Sequence, residues 1–387
     1  MKTELKKMLM MATTAAMIEQ FNKDNILILE KLGYEVHILG NFEEGNPISD
    51  ERLDCFKKWI VEHHGKWFHY PATRRPVDFK NIKAYTYTVK LIKKYHYEFI
   101  HCHTPIGSVI ARMAAHKTHT RIIYTAHGFH FYKGAPLKNW IFYYPVEKML
   151  SRWTDVLITI NQEDYQRAKS QFHANRIVHI PGVGINISNF NKNNVKKENK
   201  CKELGVLSNN FIFLSVGELQ KRKNYGIVIK ALGKIQDNRI IYLIAGKGPL
   251  QKKYEKMIRK YHLENNIKLL GYRTDIPELC GIADCFIHVA FHEGASVAVL
   301  EAMASRLPVI ASDVRGVREL IDMGKGGLCV NPESAEEVEQ AIMEMYHNRE
   351  FRNKCAQYNY CIVEKYNVHS INEIMKGIYE EMNLLEG

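Results

Sequence analysis

Short apolar runs alternate with amphipathic segments of helical spacing along almost the whole chain, and this alternation limits the possible folds more than any other feature. A short run of apolar residues without polar interruptions is typical of a strand covered on both faces, as in a parallel sheet. Strands joined by helices in this way predict repeated strand–helix units. The predicted strands are Lys7–Ala12, Glu35–Leu39, Trp67–Tyr70, Phe99–His103, Ile122–Ala126, Val156–Ile160 and Ile177–Ile180 in the first half, and Phe211–Val216, Ile240–Ala245, Ile267–Leu270, Cys285–Ala290, Pro308–Ser312 and Leu328–Val330 in the second.

A polar stretch rich in Asn and Lys divides this alternation. We predict two tandem doubly wound, Rossmann-like α/β domains, a division that suits a length of 387 residues. The predicted parts are a first domain of residues 1–186, a linker of 187–200, a second domain of 201–365 and a helical tail of 366–387 that crosses back to the first domain. Ligands bind at the carboxyl ends of strands in such folds. We therefore expect a site in a cleft between the two domains.

Positive charge is concentrated in the first half of the chain. Residues 1–187 hold 26 Lys and Arg against 17 Asp and Glu, whereas the remainder holds 28 against 25. This imbalance predicts an anionic partner for the first domain, which by charge alone is a nucleic acid, an acidic membrane face or a phosphorylated substrate. No aromatic-and-basic RNA motif is present, and no apolar run approaches the ~18–20 residues that span a membrane.

Two further features bear on the compartment. The eight cysteines form no CxxC pair, and several lie in apolar runs, which predicts free buried thiols in a reducing environment. The apolar run Met8–Ile18 follows three lysines and resembles a signal peptide. Because Thr13 and Thr14 dilute it, we interpret it as a first buried strand with its loop, in a cytoplasmic protein.

The segment Phe291–Ala304 (FHEGASVAVLEAMA) carries the strongest signal for a binding site. Glu293 and Glu301 lie eight residues apart, and Ser296 is positioned to cap a helix. The amides of residues 295–297 would then be unpaired donors at a helix start, which attracts phosphate. Two carboxylates beside such an end suit sugar hydroxyls. The alternative is an ordinary strand–loop–helix whose glutamates face solvent.

Two glycine-containing turns follow predicted strands in the same half. In SVGELQKRKN, Gly217 lies at the turn and the basic run Lys221–Lys223 stands where a diphosphate could be neutralised. In IAGKGPL, Gly246 and Gly248 permit close approach of the backbone. A solvated charge run and a purely structural turn are the respective alternatives. The third Gly of a dinucleotide fingerprint and any Walker A pattern are missing.

Histidines gather near predicted strand ends in the first half. His127 lies in YTAHGFHFYKGAP, and His101 and His103 lie on the preceding strand. A histidine aimed at a site could donate to a phosphate or to a developing charge. Zinc is a second interpretation, although no compact His/Cys spacing supports it. Ordinary core or surface histidines are the third. No Gly-x-Ser-x-Gly elbow is present, which disfavours a hydrolase of that type.

Taken in this order, these segments resemble the retaining glycosyltransferases of family 4, which have the GT-B fold. The resemblance covers almost the whole chain and is firmest over residues 210–332. In the first half, HCHTPIG, YTAHGFHFYKGAP, DVLITIN and IVHIPGVGI are similar to the subgroup that builds bacterial capsule or exopolysaccharide repeat units. This implies a UDP-hexose or UDP-N-acetylamino sugar as donor, a polyprenyl-diphosphate-linked saccharide as acceptor, and no metal or other cofactor. It also implies peripheral attachment to the anionic inner face of the plasma membrane through the basic first domain, and no nucleic-acid partner.

The resemblance also implies a role for each motif residue. Those assigned to catalysis are His127 near the reacting centre, Glu293 near the transferred sugar and Lys223 on the donor diphosphate. Glu301 matches the residue that binds the ribose hydroxyls. The remaining donor-binding assignments are Gly217, Arg222, Gly246, Gly248, Gly294, Ala295, Ser296 and Val297.

The sequence departs from the family pattern at three places. Glu218 stands where many members have Arg, so that Arg222 is the candidate replacement. Ala295-Ser296 replaces the usual Phe-Pro or Phe-Gly. The segment Thr13–Ala16 replaces a Gly-Gly phosphate loop, so that a donor contact there is in question. The implied mechanism is front-face transfer with retention, in which a departing phosphate oxygen helps to deprotonate the acceptor.

Three other functions remain as alternatives. A UDP-sugar 2-epimerase shares the two-domain shape and acts without an acceptor. A basic module that binds membrane or nucleic acid without catalysis would explain the charge alone. A dinucleotide oxidoreductase would need the missing Gly-x-Gly-x-x-Gly fingerprint.

Overall fold

The computed structural model describes residues 5–182, 184–190, 196–293, 296–314, 316–322 and 324–384. The chain divides into two compact units. The first unit contains Met1–Pro181 together with Ile371–Gly387, and the second contains Gly182–Ser370. Each unit is built on one parallel sheet with helices on its faces, so the predicted doubly wound α/β architecture is confirmed.

The sheet of the first unit has seven parallel strands in the order β3-β2-β1-β4-β5-β6-β7. Its strands are β1 (Lys6–Thr14), β2 (Tyr34–Asn41), β3 (Lys66–His69), β4 (Phe99–His103), β5 (Arg121–Ala126), β6 (Val156–Thr159) and β7 (Arg176–His179). Its helices are α1 (Ala15–Phe21), α2 (Lys23–Lys31), α3 (Asp50–Glu62), α4 (Phe79–Tyr95), α5 (Pro105–Thr118), α6 (Leu137–Ser151) and α7 (Gln162–Gln171).

Strand β1 lies in the middle of this sheet, between β2 and β4. Its residues Met8–Ala12 are fully buried because helices cover both faces of a parallel sheet. The apolar run near the start of the sequence is therefore a core strand, as predicted. The chain order of the strands reverses between β1 and β4, and such a switch point is where doubly wound sheets open a crevice for ligands.

The sheet of the second unit has six parallel strands in the order β10-β9-β8-β11-β12-β13. Its strands are β8 (Phe211–Val216), β9 (Ile240–Ala245), β10 (Ile267–Gly271), β11 (Cys285–His288), β12 (Val309–Ser312) and β13 (Gly327–Val330). The helices that follow the first unit are α8 (Lys197–Leu204), α9 (Tyr225–Ile235), α10 (Gln251–Lys260), α11 (Ile276–Ile282), α12 (Val297–Ala304), α13 (Arg318–Ile321), α14 (Ala335–His347), α15 (Arg349–Val363) and α16 (Val368–Leu384). The switch point of this sheet lies between β8 and β11.

The segment predicted as a linker, residues 187–200, has defined structure where it is described. Ile187–Phe190 forms a 3₁₀ turn, and α8 begins at Lys197. Phe190 lies in the apolar core of the second unit, between its sheet and α11 and α12, and so does Cys201, the first residue after the segment. Composition indicated a loop because polar residues predominate in the segment. Buried side chains within it and directly after it nevertheless fix it to the core.

The last helix belongs largely to the first unit. The hydroxyl of Tyr379 on α16 lies 2.9 Å from Nδ1 of His101 on β4, and Arg121 donates to the carbonyl oxygen of Met382. Tyr379 is fully buried. These contacts fix the described part of the tail, after Ile371, to the sheet of the first unit.

All eight cysteines are free thiols. Five are buried, whereas Cys55 and Cys361 are exposed and Cys329 is half-buried. The prediction of buried thiols therefore holds for most of them. Among the helices in the described ranges, none combines the length and the apolar character that crossing a membrane requires.

Candidate active site

Two loops meet at the switch point of the second unit. Strands β8 and β11 are parallel neighbours, so the loops that follow them leave the same edge of the sheet side by side. Arg222 and Lys223 follow β8, and Glu293 follows β11, 70 positions further along the chain. Lys223 Nζ donates to Glu293 Oε2 at 2.6 Å, and Arg222 Nη1 lies 2.9 and 3.0 Å from the two carboxylate oxygens. The fold thus brings together three of the predicted site residues.

This cluster is largely removed from water. The side chains of Lys223 and Glu293 are only 10% and 11% exposed, while Arg222 is 36% exposed. Burial lowers the pKa of Lys223, and the charge of Glu293 opposes that effect. Burial raises the pKa of Glu293, but a hydrogen bond from His288 and the charges of Lys223 and Arg222 outweigh it, so its pKa lies well below the ordinary value. Glu293 is therefore an ionised carboxylate held between two cations.

His288 is a member of this cluster that sequence reasoning missed. It ends β11 and is 4% exposed, with its Nε2 3.3 Å from Glu293 Oε2 and 3.2 Å from the hydroxyl of Ser296. Burial and the nearby Lys223 charge lower its pKa, so the ring is neutral. The available signal was a polar residue within the predicted apolar strand Cys285–Ala290, shortly before the Glu-containing loop. On its own that position is equally typical of a core histidine.

The amino end of α12 lies at the same corner, since Ser296 contacts His288 of the cluster. Ser296 occupies the N-cap position, but its hydroxyl makes no capping bond and contacts His288 instead. Its carbonyl accepts from the amides of Val299 and Leu300. Within the described ranges the amide of Val297 has no partner, as expected for the first turn of a helix. The predicted contacts of Gly294 and Ala295 fall on residues outside the described part of the chain.

Glu301 lies in the middle of α12 and has a different environment from Glu293. No cation and no hydrogen-bond donor in the described ranges contacts its carboxylate. Burial alone raises the pKa of Glu301 to about 7. The two glutamates of the motif therefore differ in charge state near neutral pH, because one has cationic partners and the other has none.

The glycines of the two turns allow the β8 and β9 loops to pack backbone against backbone. Gly246 has a φ of +158°, and a Cβ at this position would lie 1.9 Å from the carbonyl oxygen of Gly217. A Cβ on Gly248 would lie 2.7 Å from the amide nitrogen of Leu219. Gly217 in turn faces Lys223, whose Cε would be 3.3 Å from an added Cβ. The glycines thus leave room for the lysine to reach Glu293.

Arg222 lies in the 3₁₀ turn Lys221–Lys223, where it shares the carboxylate of Glu293 with Lys223. Glu218, the departure from the family pattern, is exposed at the start of the same loop. The guanidinium group that contacts Glu293 in this loop is therefore that of Arg222.

In the first unit, β4 and β5 are neighbours and bring three histidines together. His103 Nδ1 lies 3.1 Å from His127 Nε2, and His101 Nε2 lies 2.8 Å from the hydroxyl of Thr125. Burial lowers the pKa of His127 to about 4 and that of His101 to about 3, and it lowers the pKa of His103 well below its usual range. All three rings are uncharged at neutral pH. His127 can therefore donate one N–H bond but cannot supply a positive charge.

The segment that replaces the Gly-Gly loop is occupied by contacts within the first unit. The Thr13 hydroxyl accepts from the amide of Gly107 at 3.0 Å and lies 2.7 Å from the hydroxyl of Thr104. The amide of Ala16, at the start of α1, donates to Asn46 Oδ1 at 3.0 Å. These partners occupy the Thr13 hydroxyl and the Ala16 amide, two of the groups that could contact a phosphate at this turn.

Metal binding finds no support in the described ranges. No group of three or more His, Cys, Asp or Glu side chains there has a geometry that could hold a metal ion. The three histidines of the first unit bond to one another or to hydroxyl groups instead.

Family models cover both units. Residues 196–361 match the family described as "Glycosyl transferases group 1", and residues 26–186 match "Glycosyltransferase Family 4". A Bacillus subtilis protein named "Putative glycosyltransferase EpsD" is 36% identical over 361 residues, which cover 91% of this chain and 90% of that protein. The chain is a glycosyltransferase of family 4.

Other relatives of this glycosyltransferase are more distant. An Escherichia coli "UDP-Gal:alpha-D-GlcNAc-diphosphoundecaprenol alpha-1,3-galactosyltransferase" is 25% identical over 350 residues, 88% of each chain. The crystal structure of Anabaena HepE in complex with UDP and glucose superposes with a TM-score of 0.78 at 20% identity, covering 97% of this chain and 100% of that one. Similarity at that level of identity establishes the fold, which is GT-B as predicted.

Proposed function

We propose that this glycosyltransferase moves a hexose or an N-acetylamino sugar from a UDP-sugar to a saccharide carried on polyprenyl diphosphate, in the synthesis of a capsule or exopolysaccharide. The names of the relatives support this assignment, since the E. coli enzyme is named for a UDP-sugar and a diphosphoundecaprenol-linked acceptor. The activity needs a place for the donor diphosphate, and we assign it to the second unit.

The observation that carries the proposal is the cation pair at the switch point. Arg222 and Lys223 both hold the carboxylate of Glu293, and His288 links that carboxylate to Ser296 at the amino end of α12. Charged donors and unpaired helix-start amides are the groups that bind phosphate in proteins. In the proposed complex the diphosphate takes over contacts that Glu293 now occupies, and Glu293 turns toward the transferred sugar.

The other proposed roles are those that the resemblance implies. Glu301, whose carboxylate has no partner among the described residues, binds the ribose hydroxyls of the donor. Gly217, Gly246 and Gly248 shape the turn that lines the nucleotide pocket, and Ser296 and Val297 meet the phosphate or sugar. Gly294 and Ala295 complete that loop in the proposal. His127, a neutral donor in the first unit, contacts the reacting sugar.

The proposed chemistry is front-face transfer with retention. The bond between the sugar C1 and the phosphate oxygen breaks, and the acceptor oxygen bonds to C1 from the same face. Lys223 and Arg222 stabilise the leaving diphosphate, and one of its oxygens takes the proton of the acceptor hydroxyl. Front-face transfer with retention is what the resemblance to family 4 implies, and the anomeric configuration of the product tests it.

Lys223 and its neighbour Lys221 provide a matched test. Lys221 is exposed on the same 3₁₀ turn and has no partner in the described ranges, so Lys221→Ala removes a similar charge without touching the cluster. Transfer is measured from a panel of UDP-sugars to synthetic polyprenyl-diphosphate saccharides. We expect Lys223→Ala to lower kcat/KM by ~10²–10³ and Lys221→Ala to change it less than about threefold.

Several results would contradict the proposal. UDP, GDP, ADP and NAD are compared in thermal-shift titrations, where ligand at ~100 Kd stabilises by ~2.7 kcal/mol. Equal UDP binding by wild type and Lys223→Ala would place the diphosphate elsewhere. Tighter binding of GDP than of UDP would mean that the donor is a GDP-sugar and not a UDP-sugar. Inversion of a UDP-sugar without any acceptor would support the 2-epimerase, and a product of inverted anomeric configuration by NMR would exclude retention.

A further inference from the structure

The backbone directly after β4 is strained at Thr104. Its φ is +65° and its ψ is 148°, a conformation that a β-branched residue seldom adopts. Residues in such conformations persist where their surroundings hold them, and they cluster at functional sites. Thr104 follows His103, the last residue of β4, and precedes Pro105, the first residue of α5. The strain therefore lies at the carboxyl edge of the sheet, next to the histidines.

Thr13 at the end of β1 supports this conformation from the neighbouring strand. Its amide donates to the hydroxyl oxygen of Thr104 at 3.0 Å, and the two hydroxyl oxygens lie 2.7 Å apart. The hydroxyl of Thr104 in turn donates to the carbonyl oxygen of His103. Thr13 belongs to the segment that replaces the Gly-Gly loop of the family pattern. In this chain its side chain helps to fix the backbone at His103.

The ring of His103 is also held in place. It is 1% exposed and packs on the ring of His101, which lies on the same face of β4, with 4.2 Å between the ring centroids. The ring of His101 is itself bonded at both nitrogens, 2.9 Å from the hydroxyl of Tyr379 and 2.8 Å from that of Thr125. His103 therefore has a fixed ring on one side, while its Nδ1 lies 3.1 Å from Nε2 of His127.

Only one nitrogen of His103 has a partner in the part of the chain that the structure describes. Its Nδ1 contacts His127, whereas its Nε2 is buried without a hydrogen-bond donor or acceptor among these residues. His127 is half-buried, and no described residue bonds to its Nδ1. The contact between the two rings therefore decides where the protons of both histidines lie.

Two arrangements of these protons are possible. Burial lowers the pKa of both rings, so each is neutral at pH 7 and carries one proton. If His127 Nε2 donated, the proton of His103 would lie on Nε2, as a buried N–H without an acceptor. If His103 Nδ1 donates, its Nε2 has only an unused lone pair. Buried N–H groups without an acceptor are rarer than buried acceptors without a donor, which favours the second arrangement.

We propose that His103 is a positioning residue, which donates from Nδ1 to Nε2 of His127 and thereby holds the proton of His127 on Nδ1, the nitrogen that is free for substrate. His127 then presents an N–H of fixed direction to an oxygen on which negative charge develops. The bond at one nitrogen of a histidine commonly sets the state of the other in this way. The inference rests on the proposed role of His127 and deepens it, because His103 acts only through that ring.

The position of the proton on His127 can be measured by NMR. Two-bond ¹H–¹⁵N correlation spectra of protein labelled with ¹⁵N-histidine distinguish protonated from unprotonated ring nitrogens, and the spectrum of His127→Asn identifies the signals of His127. At pH 7.5 we expect both His103 and His127 to be protonated on Nδ1. In His103→Leu, which removes the donor, His127 should populate both tautomers. A proton on Nε2 of His127 in wild type, or an unchanged His127 tautomer in His103→Leu, would overturn the proposal.

Transfer kinetics give a second readout. We expect His103→Leu to lower kcat ~10–100-fold and to leave the Kd for UDP as in wild type, since the nucleotide is assigned to the second unit. His103→Asn, whose amide can replace the lost donor, should recover most of this loss. The matched control is His37→Asn, which removes another fully buried ring, hydrogen-bonded to Tyr97 and Glu35. An equal loss of kcat in this control would assign the effect of His103→Leu to packing and refute a positioning role.

The two readouts separate this inference from the proposed function. The tautomer is measured in the protein without substrates. The expected tautomers in a protein that transfers no sugar would therefore overturn only the proposed function, whereas transfer by a protein with His127 protonated on Nε2 would overturn only the role of His103. If His103→Leu does not fold, wild type and His103→Asn decide the question, since both must show His127 protonated on Nδ1.

Discussion

Glu301→Gln tests the donor site through a pH dependence that the structure specifies. Burial raises the pKa of Glu301 to about 7 in the free protein, and no described cation offsets it. Near neutral pH this carboxyl group is therefore ionised only about half the time. Ribose hydroxyls donate to a carboxylate, so UDP should select the ionised form and its affinity should rise as the pH rises through 7.

The size of the effect follows from the pKa. A group of pKa about 7 is roughly nine-tenths ionised at pH 8 and roughly one-tenth ionised at pH 6. If only the ionised form binds the ribose, the Kd for UDP rises about tenfold from pH 8 to pH 6, a difference of about 1.4 kcal/mol. The neutral amide in Glu301→Gln has nearly the same shape and does not titrate. The affinity of Glu301→Gln for UDP should therefore lack this tenfold dependence on pH.

Isothermal titration calorimetry with UDP at pH 6, 7 and 8 measures the effect. The terminal phosphate of UDP also titrates near pH 6. The titration of this phosphate affects UDP binding to wild type and to Glu301→Gln equally. The ratio of their dissociation constants for UDP at each pH therefore reports the contribution of Glu301 alone. A ratio that stays constant within about twofold across the three pH values would refute the reasoning, because it would mean that Glu301 does not face the ribose or does not titrate there.

The same substitution has a consequence for stability that does not depend on UDP. The pKa of Glu301 is higher in the folded protein than the ordinary value of 4.5, so its favourable contribution is fully present below pH 4.5 and is lost as the pH rises through 7. The loss amounts to up to about 3 kcal/mol by pH 8. Glu301→Gln should therefore unfold at a higher urea concentration than wild type at pH 8, with a smaller difference at pH 5.

Three further predictions concern the rest of the molecule. His127→Ala should lower kcat by ~10²-fold while leaving the Kd for UDP unchanged, and wild-type rate profiles should show no inflection from this histidine between pH 5 and 9, since its pKa is about 4. Arg112→Met leaves Glu147 buried without its partner and should cost ~3–5 kcal/mol in urea unfolding, with much of the loss recovered when Glu147 is also made apolar. Gly246→Ala places a methyl group 1.9 Å from a backbone oxygen and should prevent normal folding by circular dichroism, whereas Gly377→Ala, with open space around it, should stabilise α16 by ~0.5–1 kcal/mol.

The sequence was sufficient to predict the elements and the class of the fold. Each of the thirteen predicted strands is present, with boundaries that differ by at most two residues at either end. The reason is physical: a strand buried on both faces must be apolar throughout, and a helix must repeat its apolar positions every three or four residues. Both patterns are local, so they can be recognised without knowing what packs against what.

The structure of the linker and the arrangement of the site were harder to predict, because both depend on contacts between residues that are far apart in the sequence. Phe190 within the segment and Cys201 directly after it anchor a stretch whose overall composition is that of a loop, and only their burial in the core of the second unit reveals this. His288 ends an apolar strand, and nothing in its neighbourhood in the sequence indicates whether it faces a core or a carboxylate.

What the sequence determined by itself is a two-part α/β chain with basic residues after one strand and two glutamates after another. Only the tertiary structure decided that Lys223 and Glu293, which lie 70 positions apart, touch, because strand order is a property of the sheet and makes β8 and β11 neighbours. It also decided that Glu293 is ionised while Glu301 titrates near pH 7. The same side chain acquires one pKa beside buried cations and another where burial acts alone.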